Sequence, residues 1–308
     1  MKIRIGTRGS ALALTQSADV AGRLRALGHD AELVIISTTG DRVTDRSFSD
    51  VGSFGVFVRE LESALLDRSV DVAVHSYKDV PSRMPQGLMI AACPERVDAA
   101  DVLLVRRSAL AADHGGLPLA HGASVGTSAT RRRALLLDAR PDLELGLLRG
   151  NVPTRVRALT EGRFDAIVLA AAGLARLARA EGEYRLTLNE DVVTVRLDPS
   201  VFVPAPSQGA IAVQVRDDDA AVLAAVAPLD DRDCGRALRT ERTALFLAEG
   251  GCTLPFGAWC DVGTDHTLTL ATALGLEDGT IARSVARGHD PETVANTAWS
   301  MLARGAHA

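Results

Sequence analysis

The sequence predicts an α/β fold of two similar halves, closed by a small α+β unit. Three observations carry that expectation. Ile5-Gly-Thr-Arg-Gly-Ser10 and Val125-Gly-Thr-Ser-Ala-Thr-Arg131 repeat one order of events: strand, glycine turn, hydroxyls, helix start. Val70-Asp-Val-Ala-Val-His75 and Phe164-Asp-Ala-Ile-Val-Leu-Ala170 are short apolar runs with β-branched residues, each read as a buried strand. Beyond Cys252 the pattern changes to alternating strands around the turn signal Asp278-Gly279, with a closing amphipathic helix.

Taken in order, 3–5 reads as a strand, and a helix follows to about residue 27, with Leu12, Ala13, Val20, Leu24 and Leu27 on its apolar face. Ser10 is the expected N-cap and Gly28 the C-cap. A strand over 31–37 leads into a polar stretch, 38–54, without periodicity, expected to be a lid or disordered. A helix over 56–66 precedes the strand 70–74, and 88–92 is a further strand. The second half begins with a strand at 102–105, and 143–148 is a strand that ends in Arg149-Gly-Asn-Val-Pro-Thr-Arg155. Pro153 suits helix position N1 there. The proline-rich stretch 199–209 reads as a linker, and 210–215 as a strand returning to the first half, so that two chain segments form a hinge. A helix over 231–249 is closed by Gly250-Gly251, just before Cys252. The expected division is 1–98 with 203–217 as the first lobe, 99–202 as the central lobe and 218–308 as the α+β domain.

Composition narrows the function. A net charge of −5 argues against a general nucleic-acid binder, although Arg131, Arg132 and Arg133 run together. No apolar run is long enough to span a membrane, and Met1-Lys-Ile-Arg-Ile-Gly6 enters a strand with no signal-peptide core, so a cytoplasmic protein is expected. Cys93, Cys234, Cys252 and Cys260 show no metal-binding spacing. No long exposed apolar stripe demands a partner, so a monomer is expected.

Chemistry concentrates where apolar strands end. His75-Ser-Tyr-Lys-Asp79 follows the last apolar residue of the strand 70–74, and ligands of open α/β sheets bind at carboxyl ends of strands. Only Lys2 and Lys78 are lysine in a chain that otherwise uses arginine, which sets Lys78 apart beside Asp79. Arg8, Arg131, Arg132, Arg149, Arg155 and Arg176 fall at strand ends or helix starts and are expected to converge on one cleft. Ser10, and Thr127 and Ser128 after Gly126, add hydroxyls and an anion nest. Guanidinium forks hold carboxylates or phosphates in pairs of hydrogen bonds. With no P-loop and no GxGxxG, a polycarboxylate ligand is preferred over a polyphosphate. Cys252, behind two glycines, is an uncrowded thiol or a small buried apolar residue.

Six ordered motifs, Arg4-Ile-Gly-Thr-Arg-Gly-Ser-Ala-Leu-Ala-Leu, Asp71-Val-Ala-Val-His-Ser-Tyr-Lys-Asp-Val-Pro, Val125-Gly-Thr-Ser, Leu148-Arg-Gly-Asn-Val-Pro-Thr-Arg, Pro204-Ala-Pro-Ser-Gln-Gly-Ala and Glu249-Gly-Gly-Cys, resemble the hydroxymethylbilane synthase (porphobilinogen deaminase) family. The resemblance runs from about residue 3 onward and is loose over the last forty. It implies two lobes like those of type II periplasmic binding proteins, a third domain, and a dipyrromethane cofactor joined by a thioether to Cys252. It further implies Asp79 as catalytic carboxylate with Lys78 as its cofactor-contacting neighbour. Arg8, Ser10, Gln16, Thr127, Arg131, Arg132, Arg149, Arg155, Arg176 and Gln208 match positions around cofactor and substrate, which would be porphobilinogen. The chain departs from the family at Phe54, where a lysine is frequent, at Ala129, where serine is usual, and at Gln214, where glutamate is common. The competing class is a non-catalytic two-lobed receptor for a small polycarboxylate.

Overall fold

The computed structural model describes residues 1–36, 58–114, 116–248 and 254–305. The expected loop 38–54 with Phe54, and Cys252, lie outside the described residues. Two compact units are formed, one by Met1–Val97, Arg179–Arg185 and Gly209–Gly235, the other by Asp98–Ala178, Leu186–Gln208 and Arg236–Ala308.

In the first unit β1 (Lys2–Thr7), α1 (Ala11–Ala26), β2 (Asp30–Ile35), α2 (Arg59–Leu66), β3 (Val72–Ser76) and β4 (Leu88–Ala92) follow one another. The returning strand, β12 (Ile211–Arg216), completes a sheet of order β2-β1-β3-β12-β4. β1 runs parallel to β2 and β3, whereas β12 is antiparallel to β3 and β4. β3 and β12 are almost wholly buried, which their continuous apolar runs require. Ile3, Ile5, Val72, Val74, Val213 and Val215 form the core beneath α1. The short helix α6 (Ala220–Val226), assigned from the sequence to the third domain, places Val222, Ala225 and Val226 in this same core. Asp71 fastens the start of β3 to β1: its Oδ2 accepts from Arg4 N at 2.9 Å and its Oδ1 from Arg4 Nη2 at 2.7 Å.

The second unit repeats the plan. β5 (Asp101–Arg106), β8 (Ser124–Gly126), α3 (Thr130–Ala139), β9 (Glu144–Gly146), α4 (Val152–Thr160), β10 (Ala166–Ala170), α5 (Ala171–Arg179) and β11 (Val192–Arg196) build a sheet of order β11-β5-β10-β8-β9, while β6 (Leu110–His114) and β7 (Leu117–Leu119) form a separate hairpin. Read from its other end, the order is that of the first sheet. The clamp is repeated too, since Asp165 Oδ2 accepts from Ser124 N at 2.9 Å. β11 and the hairpin add to the strands expected from the sequence, β11 on the β-branched run Val192-Val-Thr-Val195, and Pro153 sits one place further into its helix than N1, behind Val152.

α7 (Arg232–Ala248), β13 (Phe256–Val262), β14 (Leu268–Gly275), β15 (Ile281–Gly288) and α8 (Pro291–Gly305) complete the chain. The three strands pair in sequence, antiparallel throughout. This α+β part does not stand alone. Ala271, Ala273, Trp259 and Ile281 pack into one core with Leu103, Val105, Val125 and Leu136 of the second sheet and α3.

Candidate active site

In the first unit, β1 leaves the sheet at Thr7 and the chain turns at Arg8 into α1. Ser10 is the N-cap, in extended conformation, with Oγ accepting from Ala13 N at 3.4 Å. The remaining free N–H groups of the first turn favour an anion there, and the half-buried Arg8 adds a guanidinium. Gln16, one and a half turns along, is buried and lies within 3.0 Å of Ser76 Oγ through its amide nitrogen, which ties α1 to the end of β3.

From that end a single 3-10 turn, Tyr77–Asp79, projects Lys78 and Asp79. Tyr77 N donates to Ala210 O at 3.1 Å and Val80 N to Tyr77 O at 3.1 Å, so both ends of the turn are held. Lys78 is half-buried and Asp79 exposed, leaving the carboxylate open to approach. Behind them His75 is buried. Its Nε2 lies 2.9 Å from Gln214 Oε1, and Gln214 Nε2 donates to Glu62 Oε1 at 3.1 Å. Burial, opposed by the Gln214 hydrogen bond and aided by the charge of Arg8, pushes His75 down to about 4. Burial also raises the Glu62 carboxyl, against the Gln214 hydrogen bond and the charge of Arg59.

In the second unit the glycine turn after β8 is sterically forced: a Cβ on Gly126 would lie 2.9 Å from the Phe164 ring. Thr127 is buried, donates its N–H to Gly146 O at 3.0 Å and accepts from Ala129 N through Oγ1 at 3.3 Å. Ala129 is the N-cap of α3 and gives no side-chain cap. Ser128 beside it is half-buried. Arg149, in the loop after β9, and Arg176, on α5, are half-buried, and Arg155 Nε turns back to Gly150 O at 2.8 Å.

Arg131 and Arg132 are not open forks. Both are buried and converge on Asp101, which is 0% exposed: Arg131 Nη2 reaches Oδ2 at 2.7 Å, and Arg132 Nε and Nη2 reach Oδ1 at 3.1 and 2.7 Å. Gln208 Nε2 joins them at 3.0 Å and also donates to Ala99 O at 2.8 Å. Burial alone would raise the Asp101 carboxyl, but the charges of Arg131 and Arg132 and the hydrogen bonds from Arg132 and Gln208 hold it far below the usual carboxylate range. Two guanidiniums against one carboxylate leave one net positive charge at the start of α3.

The stretch read as a linker is therefore locked within the second unit. Besides Gln208, Arg131 Nη1 holds Val203 O at 2.7 Å, Ala258 N donates to Pro204 O at 3.0 Å, and Gly257 has no room for a Cβ, which would sit 2.6 Å from Val203 O. Ser207, in the left-handed region at φ 64°, donates its N–H to Glu241 Oε2 at 2.6 Å, while Glu241 Oε1 accepts from Cys260 N at 2.7 Å. Glu241 was legible as an anomaly, since it falls on the buried stripe Ala237, Ala244, Ala248 of α7. Asp101 had a weaker signal, an acid opening an apolar strand. Of the four cysteines, Cys93, Cys234 and Cys260 are buried, and Cys252 is outside the described residues. Among the described residues no helix is long and apolar enough to cross a membrane, and no acidic, histidine or cysteine cluster could hold a metal.

In each unit a helix start and guanidinium groups favour an anionic ligand such as a carboxylate. Residues 3–224 match the family described as porphobilinogen deaminase, dipyromethane cofactor binding domain. The chain is 47% identical over 279 residues to a porphobilinogen deaminase of Syntrophobacter fumaroxidans, covering 90% of this chain and 85% of that one. It is 42% identical over 309 residues to one of Brevibacillus brevis, covering 99% and 95%. Among solved structures it is similar to a Salmonella typhimurium periplasmic binding protein of high arginine specificity, with 14% identity, 76% and 93% coverage and a TM-score of 0.40.

Proposed function

The chain belongs to the porphobilinogen deaminase family, and from that premise we propose how its own residues carry out the reaction. The enzyme is a transferase that condenses porphobilinogen stepwise into the linear tetrapyrrole hydroxymethylbilane, releasing ammonia. Its dipyrromethane cofactor supplies, when bound, a free pyrrole α-carbon to which substrate is joined and an anchor for the growing chain. In our reading Cys252 carries that cofactor, the other three cysteines being buried in cores.

Each substrate brings an acetate and a propionate, and losing ammonia from its aminomethyl group leaves a cationic azafulvenium. A fixed carboxylate near the pyrrole N–H stabilises that cation and can accept the proton released when aromaticity returns. Asp79 fills this role because the held 3-10 turn presents it at the end of β3 while leaving it exposed. Lys78 and Arg8, with the start of α1 at Ser10, bind substrate or cofactor carboxylates. Arg149, Arg155, Arg176 and the Thr127-Ser128 turn do the same on the second lobe. Arg131, Arg132 and Gln208 serve the same ligands by charge and by the shape of the α3 start, their forks being engaged by Asp101. Residues 236–308 act as the cofactor-bearing third domain, 218–235 belonging with the first lobe, and the enzyme works as a cytoplasmic monomer that binds neither nucleic acid nor membrane.

The family match over residues 3–224 carries this reading. Intact mass of the purified protein tests it: active enzyme should be heavier than its sequence by one covalent dipyrrole, mapped by proteolysis to Cys252. A receptor for a polycarboxylate would have the bare sequence mass and release no ammonia from porphobilinogen. Attachment at Cys260 would overturn the choice of residue.

A further inference from the structure

The two lobes differ at one buried triad. Residues 59–76 align without a gap on 153–170, with Ala64, Leu65, Asp71 and Val74 falling on Ala158, Leu159, Asp165 and Val168. Glu62 then falls on Val156 and His75 on Leu169. Strand register supplies the third match, since Gln214 lies opposite Ala73 as Leu104 lies opposite Ile167. Val156, Leu169 and Leu104 pack together in an apolar core, 6%, 2% and 0% exposed. The fold therefore closes well with three aliphatic side chains here. In the lobe that bears Asp79 the same places hold an acid, an imidazole and an amide, all buried and joined in one chain. Buried polar chains of this kind are rarely more stable than an apolar replacement, so the gain is sought in geometry.

Donor and acceptor roles fix that geometry. Gln214 gives an N–H to Glu62, which leaves its oxygen toward His75, so His75 must carry its proton on Nε2. Glu62 and Gln214 thereby hold the ring on one side, while the guanidinium of Arg8 acts on it from the β1–α1 turn and Arg59 acts on Glu62. The next residue, Ser76, is gripped by Gln16. We propose that His75 is a positioning residue of the active site, tied through Gln214 to Glu62 so that the end of β3 sets the turn carrying Lys78 and Asp79. This rests on the role assigned to Asp79 above.

The test transplants the other lobe's core. The triple variant Glu62→Val, His75→Leu, Gln214→Leu should melt no lower than wild type, yet lose at least about tenfold in kcat for ammonia release with KM changed less than about twofold. A kcat per folded molecule within twofold of wild type would reduce the triad to packing and overturn the proposal. Gln214→Glu, nearly isosteric, keeps the question answerable if the triple variant does not fold. Nitrogen NMR of wild type should show the Nε2–H tautomer, and in Gln214→Glu the His75 titration should move upward with a new limb in the kcat profile at the same pH. An Nδ1–H tautomer in wild type, or a moved titration that the rate ignores, would refute it. Wild-type protein inactive toward porphobilinogen would instead sink the functional reading, while the tautomer measurement would still decide the fate of the triad.

Discussion

The first and second sheets share strand order, the aspartate clamp and an ungapped helix-strand segment, yet each buries a different polar knot near the end of its central strand. In the first lobe it is the uncharged contact His75–Gln214 with Glu62 behind it. In the second it is Asp101 between Arg131 and Arg132. The register shows how local the difference is, because Asp101 opposes Ala170 as Ile211 opposes Ser76. Common apolar pattern builds both sheets, and a few polar departures make them unequal. The lobe with the mild knot presents one exposed acid, while the lobe with the charged knot presents a positive helix start.

The largest effect should come from the feature found in the first lobe only. Asp79→Asn keeps shape and loses charge at an exposed position, so melting should stay unchanged while turnover falls about 100- to 1000-fold, the usual cost of removing a group that stabilises transition-state charge. Single-turnover ammonia release per folded molecule measures it. Activity within a factor of a few of wild type would make the lobes functionally alike at this position and remove Asp79 from the mechanism.

Asp101→Asn asks how much the second knot matters. Breaking a buried ion cluster by removing one partner leaves guanidiniums uncompensated and costs about 3–5 kcal/mol. Denaturant unfolding should show this loss, and the variant should also release the grip of Gln208 and so loosen 203–208. A loss below about 1 kcal/mol would mean that the two arginines find other acceptors beyond Val203 O and Val168 O.

Acid should separate the lobes by pH window. His75 is depressed in the folded state to about 4 from the usual value near 6.5, so the unfolded chain takes up the proton first. Stability is unaffected above about 6.5 and falls as pH drops toward 4, by about 3 kcal/mol, less whatever Glu62 returns. Glu62, raised by burial, protonates earlier in the folded state and so stabilises it over part of that range. Asp101 works later: its depressed carboxyl stabilises the fold above the unfolded value of about 3.9, and that contribution disappears only below it. His75→Leu should flatten the first window and leave the second, read from melts at stepped pH.

Much of this was legible in the residues, and the part that was not has a physical cause. Strand ends, the glycine turns, Ser10 as a cap and the return of β12 to the first sheet follow from apolar runs and turn chemistry that act locally. The positive helix starts were legible as well, but the orientation of Arg131 and Arg132 was not. A guanidinium points wherever its best acceptor lies, and Asp101 comes from thirty residues earlier in the chain. Likewise, proline content marks 199–209 as irregular without revealing that Glu241 and Arg131 would bury it. Packing of the β13–β15 sheet against the second lobe depends on small residues such as Gly257, Ala271 and Ala273, whose alternation gives a strand but not the surface it meets.

The smallest expected effect tests whether the two helix starts differ only by one hydroxyl. Ser10 caps α1, and its loss in Ser10→Ala should cost about 1 kcal/mol. At the matching place α3 begins on Ala129, already extended at φ −81° and ψ 121°, as a cap residue must be, but with only Thr127 Oγ1 accepting from the turn. Ala129→Ser adds an acceptor to backbone N–H groups that lack one and should stabilise the second lobe by about 0.5–1 kcal/mol. The gain depends on the new hydroxyl outcompeting water at a half-buried site. If stability does not rise, water already satisfies these N–H groups as well as a hydroxyl would, and the missing cap costs the second lobe nothing.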